Sequence, residues 1–384
     1  VGLGKTAAAA EAYRELVAAA ERSPKRPAWQ LRQAAALAAE KDWQRVHDLL
    51  APLIPAFTGD RQAEARFLDA TALVELKRPA DATGLLADLE KAAPRWERRE
   101  DALLLAVRAL RESGDAAAAL ATAERLVTEF PAGQNADVSW FRVGQLRQDA
   151  KRFDDAIAAF GRSVAARPDG PRAAWALLAT GWCHEAAGRL PQAVQAWTEL
   201  LDKLPQASAA PPALLARADV RQRRGEYEPA LADVERLLAA HRDGKAALDA
   251  AALAEARLLQ GLCLAGTKKY AQAAAAFRRL VDEKPQFAAA DRVLFELGVV
   301  QTVDGKAADA AATFKSLVER FPKSGHAAEA WFEIGESAWG AKNWEDAAKA
   351  YQGAIASAGA ATAGRRDLVG EQGWHKLGWT QLMK

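Results

Sequence analysis

The 384-residue chain is poor in sulfur and in tyrosine: two cysteines, Cys183 and Cys263, one methionine, Met383, and four tyrosines. Two cysteines cannot build a disulfide framework. With Met383 the sole methionine, Val1 is read as lying downstream of a natural start, where any targeting segment would precede it. No run of 18 apolar residues occurs, so the sequence offers no membrane-spanning helix and reads as soluble. Charge of one sign is also missing. Lys+Arg 52 against Asp+Glu 50 leaves a net charge of +2, which excludes both a nucleic-acid-scale basic field and a disordered acidic tail.

What the chain has is alanine, 95 residues of it, against 16 prolines. That balance favours packed helices with small contact residues over any sheet. The alanines recur in segments of the form A-x-x-x-aromatic-x-x-L. The alanine slot falls at Ala9, Val46, Ala82, Ala119, Ala156, Ala193, Ala230, Ala273, Ala310 and Ala347, in steps of 37 residues with one of 36 and one of 43. Prolines close the segments in the same phase, at Pro94, Pro131, Pro168, Pro205, Pro285 and Pro322, and miss only the slot at Arg242. Two independent residue types keep one period, so the chain is a tandem repeat.

A second small residue stands twelve positions before the alanine: Ala34, Ala70, Gly144, Gly181, Ala218, Gly261, Gly298, Gly335 and Gly378, with Val107 the exception. Small residues facing one another let two antiparallel helices approach closely, and Trp140, Phe160, Trp197, Phe277, Phe314, Trp331 and Tyr351 fill the layer around them. Gly or charged turns such as Ser113-Gly114-Asp115 and Asp304-Gly305-Lys306 separate the helices. The unit is helix A, turn, helix B, proline stop.

These residues resemble the tetratricopeptide repeat, W-x₂-L-G-x₂-Y, then A-x₃-F, then P. Trp140-x₂-Val143-Gly144 with Ala156-x₃-Phe160 and Pro168 carries the likeness, as does Leu294-x₂-Leu297-Gly298 with Ala310-x₃-Phe314 and Pro322. The likeness covers essentially the whole chain. It departs in its period, 37 against 34, and in the second aromatic slot of helix A, which holds Leu37, Leu73, Leu110, Arg147, His184 or Gln301. The resemblance implies an all-α, right-handed solenoid over residues 1–384. Complete repeats are expected at 27–62, 63–99, 100–136, 137–173, 174–210, 211–253, 254–290, 291–327 and 328–370, with partial repeats at 1–26 and 371–384. Both ends are thus expected to cut through a repeat, with Lys5 in an interhelix turn.

Within that family, Phe130-Pro131-x₄-Ala136-x₃-Trp140-Phe141-x-Val143-Gly144 and the parallel phrase from Phe321-Pro322 to Gly335 resemble Tol-Pal-associated periplasmic repeat proteins and BamD-like lipoproteins. That likeness implies a bacterial periplasm or cell envelope, with a cytoplasmic location as the alternative. Two units are six residues longer, at His241 to Ala252 and at Ala358 to Gln372, and are expected to lengthen links, the second being the more flexible through Gly359, Gly364, Gly370 and Gly373.

Candidate chemistry is sparse. Gly2-Leu3-Gly4-Lys5-Thr6 has the form of a P-loop tail, but it continues in repeat phase into Ala9-x₃-Tyr13-x₂-Leu16, with no strand pattern before it. His47, His184, His241, His326 and His375 lie far apart without metal-ligand spacing. Cys183 and Cys263 share a helix A slot two repeats apart and read as buried, unpaired thiols. Arg95, Arg98 and Arg99, like Arg221, Arg223 and Arg224, read as solvated faces balanced by acids. No nucleophile elbow or triad context appears, so neither catalysis nor a cofactor is expected.

What remains is a surface. In this family helix A lines the concave side, which would place Phe141, Trp175, Trp182, Phe295, Phe332, Trp339 and Trp379 in a groove, along with Leu178 and Leu215. Packing between neighbouring A helices is the alternative for these rings. Leu104, Phe141, Leu178, Leu215, Phe295 and Phe332 stand where carboxylate-clamp chaperone adaptors carry Lys and Asn, which disfavours that partner class. The expected function is a non-enzymatic scaffold for a protein or peptide partner, without nucleic acid or direct membrane insertion. The alternative is a regulatory arm of a larger signalling or NTP-hydrolysing protein.

Overall fold

Among the described residues, alanine and leucine at helical spacing form twenty α-helices and no strand. The computed structural model describes residues 3–283, 287–358 and 365–383, with side chains over 5–283, 287–358 and 369–383. Helix α1 (Leu3–Ala19) is followed by nine A/B pairs. The first five are α2 (Arg26–Ala39) with α3 (Trp43–Leu50), α4 (Gly59–Glu75) with α5 (Pro79–Ala92), α6 (Arg99–Glu112) with α7 (Ala116–Glu129), α8 (Ala136–Asp149) with α9 (Phe153–Ala166), and α10 (Pro171–Ala186) with α11 (Leu190–Lys203). Then come α12 (Ala210–Arg223) with α13 (Tyr227–Arg242), α14 (Ala250–Gly266) with α15 (Tyr270–Glu283), α16 (Ala290–Val303) with α17 (Ala307–Arg320), and α18 (Ala327–Gly340) with α19 (Trp344–Ala358), before α20 (Arg365–Met383).

The chain forms two compact units, Val1–Ala196 and Trp197–Lys384. In each, helices pack on their neighbours in sequence, and some A helices also touch the A helix that follows, as α2 does α4 and α12 does α14. The architecture is an all-α solenoid of helix pairs. No helix of the described residues is long and apolar enough to cross a membrane.

The predicted stops are where they should be. Helices α5, α7, α9, α11 and α17 each end two residues before Pro94, Pro131, Pro168, Pro205 and Pro322, because a proline disfavours helical backbone at the residue before it. Pro285 lies outside the described residues. At Arg242, where the proline is missing, α13 runs on and has 16 residues where most B helices have 14.

Every A-to-B turn carries one residue in the left-handed region, five positions before the alanine slot. Gly114, Gly188, Gly225 and Gly305 hold it in four pairs, and Lys41, Lys77, Lys151, Lys268 and Lys342 in the other five, with φ between 57° and 62°. The next residue donates its N–H to a carbonyl five residues back, as in Asp42 to Leu37 and Arg152 to Arg147. This closure satisfies the helix's last carbonyls and reverses the chain.

The core sits where the small slots cross. Val46, Ala82, Ala119, Ala156, Ala193, Ala230, Ala273, Ala310 and Ala347 are all buried, as are Ala34, Ala70, Val107 and Ala218. Where helix A carries glycine, an aromatic ring from sixteen residues on lies over it. A Cβ added to Gly144 would meet Phe160 at 2.5 Å, one on Gly261 would meet Phe277 at 2.3 Å, and ones on Gly298 and Gly335 would meet Phe314 and Tyr351 at 2.5 Å each. Where helix A carries alanine, the residue sixteen on is smaller: Leu50, Leu86 or Val234, and opposite Val107 it is Ala123. The two slots trade volume, as a close-packed interior requires.

Four expectations are corrected. Lys5 is not in a turn: α1 begins at Leu3, and the hydroxyl of Thr6 donates to Glu40. In α1 the buried position is Ala10, with Ala9 only half-buried. The six extra residues after His241 do not simply lengthen a link. They extend α14 to 17 residues, and the link folds back, with Lys245 N donating to the Ala240 carbonyl at 2.8 Å. Gly359 and Gly364 lie outside the described residues, while Gly370 and Gly373 fall inside helix α20; a Cβ on buried Gly373 would meet Ile355 Cγ1 at 3.1 Å. Glycine there permits close approach to α19. The short α3 has its own cause, Pro52 and Pro55 turning the chain through a single 3-10 turn at Ile54–Ala56.

Volume exchange gives a direct test. Gly298→Ala should destabilise by about 1–3 kcal/mol through overpacking against Phe314, despite alanine's better helix propensity. Adding Phe314→Leu should recover much of that loss, because it recreates the alanine-leucine pairing of Ala34 and Leu50. Urea unfolding of the wild type, the single and the double variant measures this; a double variant less stable than Gly298→Ala would refute the complementarity.

Candidate functional site

A solenoid exposes what its helix crossings do not use, so the site is sought among A-helix side chains left outside the core. Three of the expected groove rings are used by the core. Phe141 lies 5.6 Å from Phe160 at 54°, Phe295 lies 6.0 Å from Phe314 at 54°, and Phe332 lies 5.8 Å from Tyr351 at 53°. One tilted pair is thus built three times, beside the glycine that admits it. Phe141 is buried, Phe295 is also stacked on His326 at 4.7 Å, and Leu178 is fully buried.

The tryptophans behave differently. Trp175 and Trp182 of α10 stand two turns apart on one face and are 36% and 38% exposed, whereas Trp96, Trp140 and Trp197 are buried. In the second unit Trp339 meets Trp344 edge-on at 5.0 Å, with Lys376 Nζ 5.4 Å from its ring. Trp379 is 52% exposed, and its indole N–H donates to His375 Nε2 at 3.1 Å. The first unit therefore brings Trp175 and Trp182 together on an accessible face. The second unit carries Trp339 and Trp379 on its last A helices.

Next to α10 lies a feature the sequence reading missed. Val107, Arg108, Arg111 and Glu112 of α6 and Arg142, Gln145 and Leu146 of α8 line a cavity of about 280 Å³. Arg108 is engaged by Glu75 at 2.6 Å and Glu112 at 2.8 Å, and Arg111 reaches Asp149 only at 3.8 Å. Half-buried Arg142 has the Gln145 amide oxygen at 2.8 Å and no carboxylate in ion-pair range. Burial, then the like charges of Arg172, Arg111 and Arg108, hold its guanidinium below the usual arginine range. Arg172 of α10 lies 5.7 Å from the Phe141 ring. A residue-by-residue charge comparison of A helices would have flagged Arg142, since its neighbours in helix phase are not acids.

The remaining candidates resolve into structural roles. Arg221 is not solvated: with buried Arg217 it grips Asp233, Arg217 in two bonds of 2.6 and 2.9 Å and Arg221 in one of 2.7 Å. Arg98 pairs with Glu64 and Asp101 and lies 4.4 Å from the Phe67 ring, and Arg99 bonds Glu90 and Glu129. Long arginine stems cover apolar surface while their heads reach acids of other helices, and so Arg98, Arg99 and Arg221 are drawn into the packing, whereas Arg95, Arg223 and Arg224 are exposed as expected. His47 joins Asp69 at 2.6 Å to Arg78 at 3.3 Å. A guanidinium only donates, so His47 Nε2 accepts and Nδ1–H donates to Asp69. Burial raises the Asp69 carboxyl above its ordinary value, against the lowering pull of His47 and Arg78. No group of three potential metal ligands occurs among the described residues.

With this geometry the comparisons agree. A tetratricopeptide repeat model matches residues 142–208, 215–288 and 289–362, more than half of the chain, and a second one matches 101–132. The chain belongs to the tetratricopeptide repeat family. Among solved structures it is similar to the apo form of RapI, with a TM-score of 0.53 at 14% identity over 83% of this chain and 97% of that one. A tetratricopeptide repeat protein from Parabacteroides merdae ATCC 43184 gives 0.46 at 16% identity, over 73% of this chain and 98% of that one. YrrB, described as a TPR protein with an unusual peptide-binding site, gives 0.41 at 16% identity, over 52% and 92%. At these identities the likeness is one of fold. A comparison with curated proteins finds no significant match.

Both cysteines are free and buried, as their slot predicted. Burial pushes the Cys183 thiol up to about 11 and the Cys263 thiol up to about 12. An unfolded thiol titrates lower, near 8.5. Folded values above the unfolded one mean that the thiols' contribution to stability is complete below about pH 8.5 and is lost as pH rises above it. Native protein at pH 8 should therefore resist Ellman's reagent until unfolded, and wild-type stability should fall more steeply between pH 8 and 10 than that of Cys183→Ala/Cys263→Ala. Parallel pH profiles would contradict the burial.

Proposed function

We propose that this chain is a non-enzymatic scaffold that binds a protein or peptide along the exposed faces of its A helices. The observation that carries this reading is the pair Trp175 and Trp182, large rings left accessible on one face of α10 while Trp96, Trp140 and Trp197 are buried. Tryptophan supplies wide contact area for the loss of only two torsional freedoms, which makes it the characteristic anchor of an interface. The family supports the class of function, since tetratricopeptide repeats present surfaces of stacked helices to partners. The envelope-like phrases around Phe130-Pro131 and Phe321-Pro322 support an assembly role in a bacterial envelope or periplasm.

The test begins with a partner recovered from native cell extract and purified. Calorimetry should then show Trp175→Ala and Trp182→Ala each weakening its binding by about 2 kcal/mol or more, with helicity by circular dichroism unchanged. Wild-type affinity in both variants would remove the α10 face from the interface.

A further inference from the structure

The arginines of the first unit say which chemistry the partner brings. Several arginines drawn into packed faces of this chain have carboxylates: Arg99 has Glu90 and Glu129, Arg147 has Glu124, Arg217 has Asp233, and Arg257 has Glu283. Half-buried Arg26 and Arg66 have none, and neither does Arg142, which is set apart by the cavity and the arginines beside it. It is half-buried at a cavity, is tethered only to Gln145, and faces Arg111 and Arg172 without an acid to neutralise it. Glu112, the acid nearest in charge, is bonded to Arg108. A guanidinium withdrawn from water with like charges beside it destabilises the fold unless an anion completes it.

We propose that the groove between α6 and α8 binds the side-chain carboxylates of an acidic peptide segment, seated on Arg142 and flanked by Arg111 and Arg172. The inference rests on the scaffold reading above and names its partner's charge. A run of acids fits better than a single chain terminus, because the arginines without a carboxylate, Arg142 and Arg172, stand on two helices, α8 and α10, with Arg111 of α6 held to Asp149 only at 3.8 Å. The planar fork of arginine matches a carboxylate with two parallel hydrogen bonds, and the Gln145 amide presets the fork's orientation. A segment leaving the groove toward α10 would meet Trp175 on the same helix as Arg172.

The experiment uses the full chain and fluorescein-labelled hexaglutamate with an amidated C-terminus, read by fluorescence anisotropy at low salt. Arg142→Gln should weaken binding at least about tenfold, whereas Arg45→Gln, which removes an equally charged but exposed side chain on α3, should leave it within about twofold. Arg142→Gln should also melt no lower than the wild type, and hexaglutamate should raise the melting temperature of the wild type only. A blocked neutral peptide with one free C-terminal carboxylate should not compete. Equal weakening by both variants would reduce the effect to net charge and overturn the site, as would undetectable binding by the wild type, a loss of fold in Arg142→Gln, or full competition by the lone C-terminus. If the partner recovered from extract binds Arg142→Gln as tightly as wild type while Trp182→Ala weakens it, this inference fails and the scaffold reading stands.

Discussion

Each helix pair is held at one crossing, where a small residue on helix A meets a side chain sixteen residues later on helix B. The volumes at that crossing are shared, not fixed. Glycine takes Phe160, Phe277, Phe314 or Tyr351, alanine takes Leu50 or Leu86, and valine at 107 takes Ala123. Because both partners belong to one pair, each pair completes much of its own core, and the stack then buries the remaining faces. Removing the glycine or the ring alone would leave either a clash or a void, and both are costly in an interior packed like a crystal.

That arrangement decides what is left for function. Rings next to a glycine crossing, Phe141, Phe295 and Phe332, are held by their B-helix partners and contribute to rigidity. Other A-helix side chains stand outside these ring pairs. Trp175, Trp182, Arg142 and Arg172 fall in that group, and they stand on two consecutive A helices, α8 and α10, that touch each other. A rigid framework that holds unsatisfied groups at fixed spacing is the arrangement in which binding loses least conformational entropy.

The helices, the stops and the small slots were legible in the sequence because each rests on a local rule: helical period, a proline that ends a helix, a small residue where helices meet. Even the failure at Arg242 was legible, since the helix lengthened there. The left-handed turn was only half legible. Glycine announces such a backbone, but Lys41, Lys77, Lys151, Lys268 and Lys342 adopt it under the demand of the closing hydrogen bonds, and a lysine carries no signal for it. The candidate site was the least legible part. Phe141 and Trp182 look alike as aromatic residues on A helices, and only the partner on helix B separates a core ring from an exposed one. Arg142 was half legible: its helix-phase neighbours are visibly not acids, but the like charges of Arg111 and Arg172 come from other helices.

The five left-handed lysines are all exposed, each in the turn between an A helix and its B helix. A lysine-specific protease needs an extended backbone, which these closed turns deny until a pair opens locally. Cleavage at these five turns therefore measures opening, while the glycine turns at 114, 188, 225 and 305 offer no lysine at the same position. The chain thus carries a built-in set of unfolding reporters, one in each lysine-turned pair, with a fragment size that names the pair that opened first.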